Sequence, residues 1–321
     1  RPWAEGIFEG ADFIDELLPL SGKSKGATAL LSQARELRRR RFDLALLLPN
    51  AFAPALATFA ARVPLRVGYA TDGRRTLLTH PLAAPSWRGE RHEVYYYLNL
   101  VAELERLLHG RKTAVVSEPR GEPQPRGELA VSDERRRAAR ALLRETGARE
   151  ELPLVAICPG STNSRAKRWP AERFAAVADM LCVRDGAQVV LIGAAEERDV
   201  SEEVARHMTQ RPLILTGRTS LAETAALLAV ADLLVTNDTG PAHLAAAVGC
   251  PVVVIFGPTN PLTTRPFSES AEIVRHPPDC APCMLRDCPI DHRCMTAITP
   301  EEVYGRASVI VARARRFEVA R

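Results

Sequence analysis

The sequence predicts an α/β protein made of two Rossmann-like domains, each a parallel sheet flanked by helices. Three observations predict it. Short, continuous apolar runs alternate with helical periodicities along nearly the whole chain, which is the pattern of β-α units. A charged stretch rich in proline and glycine interrupts that alternation between His109 and Gly127. At 321 residues, 46% hydrophobic and 26% charged, the chain has enough apolar material for two separate cores. The same figures make disorder an unlikely main state. No apolar run reaches the roughly 18 residues of a membrane-spanning helix. No charged-then-apolar leader opens the chain, so secretion is not expected. The net charge of +4 is too mild to imply nucleic acid.

The elements follow in order. The opening RPWAEGIFEGADFIDELLPL reads as a turn and a short helix, then a strand-like segment around Phe13–Leu18. Gly26–Arg40 is helical, and DLALLLP (Asp43–Pro49) has the length of a buried strand. Ala51–Ala61 is alanine-rich and helical, LRVGY (Leu65–Tyr69) is a second strand, and Val94–Leu108 is another helix. VVSEPRGEPQPRGE then reads as an interdomain linker, about 110–127. This divides the chain into an N-terminal domain, 1–126, and a C-terminal domain, 127–321.

The second half carries five apolar strands: Leu154–Cys158, Gln188–Gly193, Leu213–Gly217, Asp232–Asn237 and Val252–Gly257. Helices such as Ala171–Val183 and Leu221–Val230 separate them, as in a doubly wound sheet. A last helix, Pro300–Arg315, opens on TPEE, with Thr299 as N-cap and acids in the first turn. Two such domains leave a cleft between two sets of strand ends, and ligands of open α/β sheets bind at those ends.

Three strand-end segments carry chemistry. CPGSTNSRAKRWP (Cys158–Pro170) offers small and hydroxyl residues, Gly160 to Ser164, followed by Lys167 and Arg168. Such a loop suits an anion, or is an ordinary polar β-α connection. It is neither a Walker A loop nor a G-x-G-x-x-G turn. In LLVTNDTGPAHLAAAVGCPVVVIFGPTNP, a polar turn, Asn237 to Gly240, precedes a helix begun by Pro241, with His243 in its first turn. Free amides and the macrodipole there favour an anion by about 0.3–2 kcal/mol. Asp238 would repel phosphate; it either accepts sugar hydroxyls or caps the helix. GAAEERD (Gly193–Asp199) adds Glu196 and Glu197 at a helix start, one of which can meet ribose or base hydroxyls.

Taken together, PGSTNSRAKRWP, TNDTGPAHLAAAVGCPVVVIFGPTNP and the tail CM-x-x-I-TPEEV resemble the bacterial lipopolysaccharide heptosyltransferases, most nearly the heptosyltransferase II branch. The resemblance covers essentially the whole chain. It implies a GT-B fold, with the donor in the C-terminal domain and the acceptor in the N-terminal one. It also implies inverting transfer of L-glycero-D-manno-heptose from ADP-heptose to the inner core, with no catalytic metal. By that similarity Thr162 and Lys167 contact the donor diphosphate, Lys167 balancing charge on the leaving group. Asp238, Thr239, Gly240 and His243 match the nucleotide-sugar turn, Glu196 matches a nucleoside contact, and Ser161 and Asn163 lie in the same donor loop.

The family's general base is an Asp in a Gly-Asp turn after the first strand. The resemblance places RPWAEGIFEG just after the family's second strand, which implies that about one β-α unit of 30 or more residues precedes it in the family and leaves the base unnamed here. The expectation is a chain that binds ADP but transfers heptose poorly or not at all; full turnover by these 321 residues would contradict it.

The implied partner is a phosphorylated lipid A-core acceptor, met by peripheral contact at the cytoplasmic face of the inner membrane. Candidate contacts are Arg62, Arg66, Arg74, Arg75, Arg88 and Arg91. The run Arg38–Arg41 either meets anionic lipid or, as we favour, is a solvated helix end.

Four of seven cysteines, Cys280, Cys283, Cys288 and Cys294, fall within fifteen residues, with His292 among them. A closed structural zinc site is one reading, and free thiols or local disulfides are the others. Two further readings of the whole stay open. One is a GT-B enzyme using another nucleotide sugar; the other is a nucleotide-sugar binder inactive through loss of its N-terminus.

Overall fold

The computed structural model describes residues 6–8, 10–18, 26–110 and 127–319. The expected linker at about 110–127 lies almost wholly outside them. Two compact units emerge. The first comprises Arg1–Pro2 and Glu16–Pro125, the second Trp3–Asp15 and Arg126–Arg321. The early segment Trp3–Asp15 clusters with the second unit. The Gly6 carbonyl accepts from Arg135 Nη1 at 2.5 Å, within the second unit.

In the first unit, helix α1 (Ala27–Arg40) precedes β1 (Leu44–Leu47), α2 (Phe52–Ala60), β2 (Leu65–Tyr69), β3 (His80–Leu82) and α3 (Glu93–His109). The sheet is parallel, ordered β1-β2-β3. Its core is modest. Leu47, Ala55, Leu77 and Leu78 form one cluster, and Val67, Tyr69, Tyr96 and Leu100 another. The Phe13–Leu18 segment is no strand: Phe13 is 69% exposed, and Asp12, Asp15 and Glu16 leave no face apolar enough to bury.

The second unit runs α4 (Asp133–Glu145), β4 (Leu154–Cys158), α5 (Ala171–Asp185), β5 (Gln188–Leu191), α6 (Arg198–His207), β6 (Leu213–Ile214), α7 (Leu221–Leu228), β7 (Leu233–Asn237), α8 (Gly240–Ala247), β8 (Val252–Phe256), α9 (Pro261–Thr264), β9 (Ala271–Arg275), α10 (Arg293–Thr296) and α11 (Pro300–Val319). Six parallel strands lie in the order β6-β5-β4-β7-β8-β9. The continuous apolar runs are explained by burial on both faces. On β4, Val155 and Ile157 face a core shared with Phe174, Leu181 and Val303, whereas Ala156 and Cys158 face one shared with Leu227, Leu244 and Cys250.

Thr299 caps α11 as its sequence implies. Its hydroxyl accepts from the Glu302 amide at 3.3 Å, and the Glu302 carboxylate accepts from the Thr299 amide at 2.9 Å.

The chain leaves β4 towards β5 and β6, then returns to lay β7 on the other side of β4. The carboxyl ends of β4 and β7 are therefore the topological switch point, where neighbouring loops diverge and a crevice opens.

Candidate functional site

A cavity of about 600 Å³ opens at that switch point, wholly within the second unit. The loop after β4 contributes Ser161, Thr162, Asn163, Ser164 and Lys167. The turn after β5 contributes Gly193, Ala194 and Glu197, and the turn into α8 contributes Asp238, Thr239, Gly240 and His243. Eight of the nine donor residues expected from sequence thus wall one cavity. Glu196 does not: it is exposed in the 3₁₀ turn Ala195–Glu197, and the carboxylate on the cavity is Glu197.

The loops are latched together by a side chain that the sequence analysis did not single out. Asn237, the last residue of β7, is fully buried. Its Nδ2 donates to the Pro159 carbonyl at 2.8 Å, and its Oδ1 accepts from the Trp169 amide at 3.1 Å. One residue therefore holds both ends of the β4–α5 loop. Thr236 adds a hydroxyl bond to the Cys158 carbonyl at 3.1 Å. Asn237→Ala strands a buried amide and a buried carbonyl, an expected cost of about 1–3 kcal/mol. The midpoint of chemical denaturation reads this, and an unchanged midpoint would refute the latch.

Lys167 ends a short 3₁₀ turn, Arg165–Lys167. Its Nζ donates to Asp238 Oδ2 at 2.7 Å and to the Asp238 carbonyl at 3.2 Å. Asp238 is 3% exposed, and the Thr259 hydroxyl donates to the same Oδ2 at 2.7 Å. The carboxylate is therefore spent on Lys167 and Thr259. It does not cap α8, whose N-cap is Thr239 without a side-chain bond. An ammonium has three protons. Two are used by Asp238, and the lysine side chain, 25% exposed, keeps the third for whatever enters the cavity. Beside it, α8 presents its first turn, with Gly240 and His243 exposed. A tethered cation and a helix N-terminus facing one crevice suit a polyanion. Arg168 is engaged elsewhere: its Nε and Nη2 both donate to the Ser161 carbonyl at 3.2 Å.

Glu197 fixes the opposite wall. Its Oε1 accepts from the Thr162 hydroxyl at 3.0 Å and its Oε2 from the Ala194 amide at 3.1 Å. The carboxylate lies directly over Gly160, where any Cβ would collide with it. Cys158 lines the floor, its thiol pushed up to about 12 by burial and then by the Glu197 charge. It is a packing residue.

The arginines expected to meet an acceptor divide. Arg74 is fully buried: Nε donates to the Tyr69 carbonyl at 2.8 Å, Nη2 to Asn50 Oδ1 at 3.1 Å, and Nη1 to the Pro49 carbonyl. It ties strand ends together and cannot reach a ligand from outside. Arg66 donates to the Leu77 and Val63 carbonyls and lies over Phe59, so it too is structural. Arg62, Arg75 and Arg88 are exposed, and Arg91 lies over the Trp87 ring. In the basic run, Arg39 and Arg40 pair with Glu36, and Arg40 also pairs with Glu16, as a solvated helix end does.

The cysteine-rich segment follows β9. Cys280 is exposed, Cys283 and Cys288 are half-buried, and Cys294 is buried. Burial, then the neighbouring Cys288, Cys283 and Cys280, raise the Cys294 thiol. Among the described residues no three His, Cys, Asp or Glu groups stand close enough together to hold a metal ion. The four thiols as placed do not form the zinc ligand set that their spacing suggested.

Comparison with known proteins gives a consistent picture. The model of glycosyltransferase family 9 (heptosyltransferase) matches residues 30–293. The chain is similar to lipopolysaccharide heptosyltransferase 2 of Salmonella typhimurium, 30% identical over 286 residues, 85% of this chain and 77% of that one. It is 29% identical over 292 residues to the Escherichia coli K12 protein of that name, with the same coverage. Among solved structures, E. coli ADP-heptose lps heptosyltransferase II superposes with a TM-score of 0.78 at 25% identity, covering 98% of this chain and 88% of that one. A family 9 glycosyl transferase from Veillonella parvula gives 0.80 at 24% identity, covering 97% and 86%, a likeness of fold.

Proposed function

The chain belongs to glycosyltransferase family 9, and from that premise we propose that it moves L-glycero-D-manno-heptose from ADP-heptose to the inner core of lipopolysaccharide, with inversion. The observation that carries the reading is the tethered Lys167 ammonium, which shares one cavity with the exposed N-terminus of α8 and the hydroxyls of Ser161, Thr162 and Thr239. The names of the Salmonella and E. coli relatives supply the sugar and its acceptor.

In the proposed reaction an acceptor hydroxyl attacks the anomeric carbon and loses its proton to a general base, for which no residue is proposed. The bond from that carbon to the diphosphate breaks, and ADP departs with the electron pair. Negative charge grows on the phosphate oxygen during that step. A cation already in place stabilises it without reorganisation. We assign that role to Lys167, with the α8 amides assisting. Asn163, Thr239, Gly240 and His243 are donor contacts in the same reading. Glu197, rather than Glu196, holds the loop that carries Thr162.

The acceptor is an acidic glycolipid, for which the exposed Arg62, Arg75 and Arg88 are candidate contacts. Among the described residues no helix is long and apolar enough to cross a membrane. The proposed meeting place is the cytoplasmic face of the inner membrane, by peripheral contact, where a nucleotide sugar and a lipid-anchored acceptor come together. No step is assigned to a metal or cofactor.

The test is transfer by the full-length protein to a heptose-deficient core acceptor. ADP-heptose is expected to support turnover, before and after dialysis against EDTA, and UDP-sugars are not. Equal transfer from a UDP-sugar would overturn the donor assignment.

A further inference from the structure

Between β9 and α10, residues 276–292 form neither helix nor strand, yet they are bonded to the turn that carries Lys167. Ala166, the middle residue of that turn, is buried, and both of its backbone groups are taken by this segment. Its amide donates to the Arg286 carbonyl at 2.9 Å. Its carbonyl lies 2.6 Å from His292 Nε2. A carbonyl can only accept, so that ring nitrogen carries the proton. Ser164, the cap of the same turn, donates its hydroxyl to the same Arg286 carbonyl at 3.2 Å, and Arg165 Nε donates to Asp287 Oδ1 at 2.7 Å.

The far end of the segment is itself anchored. Met295 and Cys294 of α10 pack onto Gly257 at the end of β8, where no side chain would fit. His292 is the residue that precedes α10, with φ 59°, a left-handed conformation that non-glycine residues adopt rarely. The backbone thus aims the imidazole at Ala166 from a fixed base. His292 does not line the cavity.

We infer that His292 is a positioning residue for the leaving-group cation: its N–H bond to the Ala166 carbonyl holds the 3₁₀ turn from which Lys167 reaches Asp238 and the cavity. The cysteine-rich segment then serves the donor site as a clamp from behind. The inference rests on the proposed contact between Lys167 and the donor diphosphate.

Titration calorimetry with ADP on the full-length protein tests it, using H292N, H292Q, K167A and the double variant H292N/K167A. Asn tolerates the left-handed backbone, so H292N keeps the loop conformation while its shorter side chain falls short of Ala166. Gln extends an N–H to about the reach of Nε2. H292N is expected to weaken ADP about five- to tenfold, the loss of roughly one hydrogen bond, and H292Q to restore most of it. In the K167A background H292N should add nothing. If K167A weakens ADP and H292N does not, the clamp is wrong and the donor reading stands. If H292N weakens ADP equally with and without Lys167, His292 does not act through Lys167. If K167A leaves ADP affinity unchanged, the donor reading falls and this inference with it.

Discussion

Lys167→Ala is expected to lower kcat for heptose transfer by about 100–1,000-fold, the usual effect of removing one preorganised group that stabilises transition-state charge. The same change should also destabilise the protein. It leaves the Asp238 carboxylate, 3% exposed, with Thr259 and no cation. Breaking a buried pair this way costs roughly 3–5 kcal/mol, and the partial exposure of Lys167 places the expected value at the low end. The two effects are separable. In K167A/D238N the neutral amide can still accept from Thr259, so stability should largely return while the rate does not. Retention of kcat within tenfold of wild type in K167A would remove Lys167 from the leaving group.

Gly160→Ala is expected to weaken ADP binding by more than tenfold and to lower stability by about 1–3 kcal/mol, the cost of overpacking. The added methyl cannot coexist with the Glu197 carboxylate. That carboxylate must move, and its bonds to Thr162 and to the Ala194 amide go with it. Calorimetry with ADP and a denaturation curve check both effects. Deleting the colliding group in G160A/E197A should recover stability but not affinity, because the Thr162 tether is still absent. An alanine at 160 that binds ADP normally would show the loop able to give way.

Much of this was legible because strand ends announce themselves. The loop from Cys158 to Pro170 and the turn from Asn237 to Gly240 each continue from a fully buried strand and lead into a helix, and the parallel order β4-β7 makes them neighbours. What they do once adjacent was less legible. Asp238 read equally well as a helix cap, because its bond to Lys167 spans 71 residues. Local charge leaves Glu196 and Glu197 equivalent, and the family resemblance alone points to Glu196. The available signal was positional: a glutamate three residues into a helical turn reaches back to the amide before it, as Glu197 does to Ala194.

Arg74 looks in sequence like any surface arginine in a basic stretch, and only tertiary burial reveals that four backbone and side-chain oxygens hold it. The edge strands β3 and β9 escaped because one contains Pro81 and the other alternates Glu272 and Arg275 with apolar residues, so neither shows a continuous apolar run. The cysteine spacing stood out in the sequence, but whether its sulfurs converge depends on how the loop folds.

The cavity has two kinds of wall. Lys167 and the start of α8 occupy one part; Ile192, Gly193, Ala194 and Leu221 line another, beside a Glu197 carboxylate that is bonded to Thr162 and to the Ala194 amide. A molecule with a charged middle and a flat, weakly polar ring at one end therefore has a preferred heading as it enters. Altering which ring is welcomed is a matter for the residues of that second part, since Lys167 has only its remaining proton to offer and directs it at an anion.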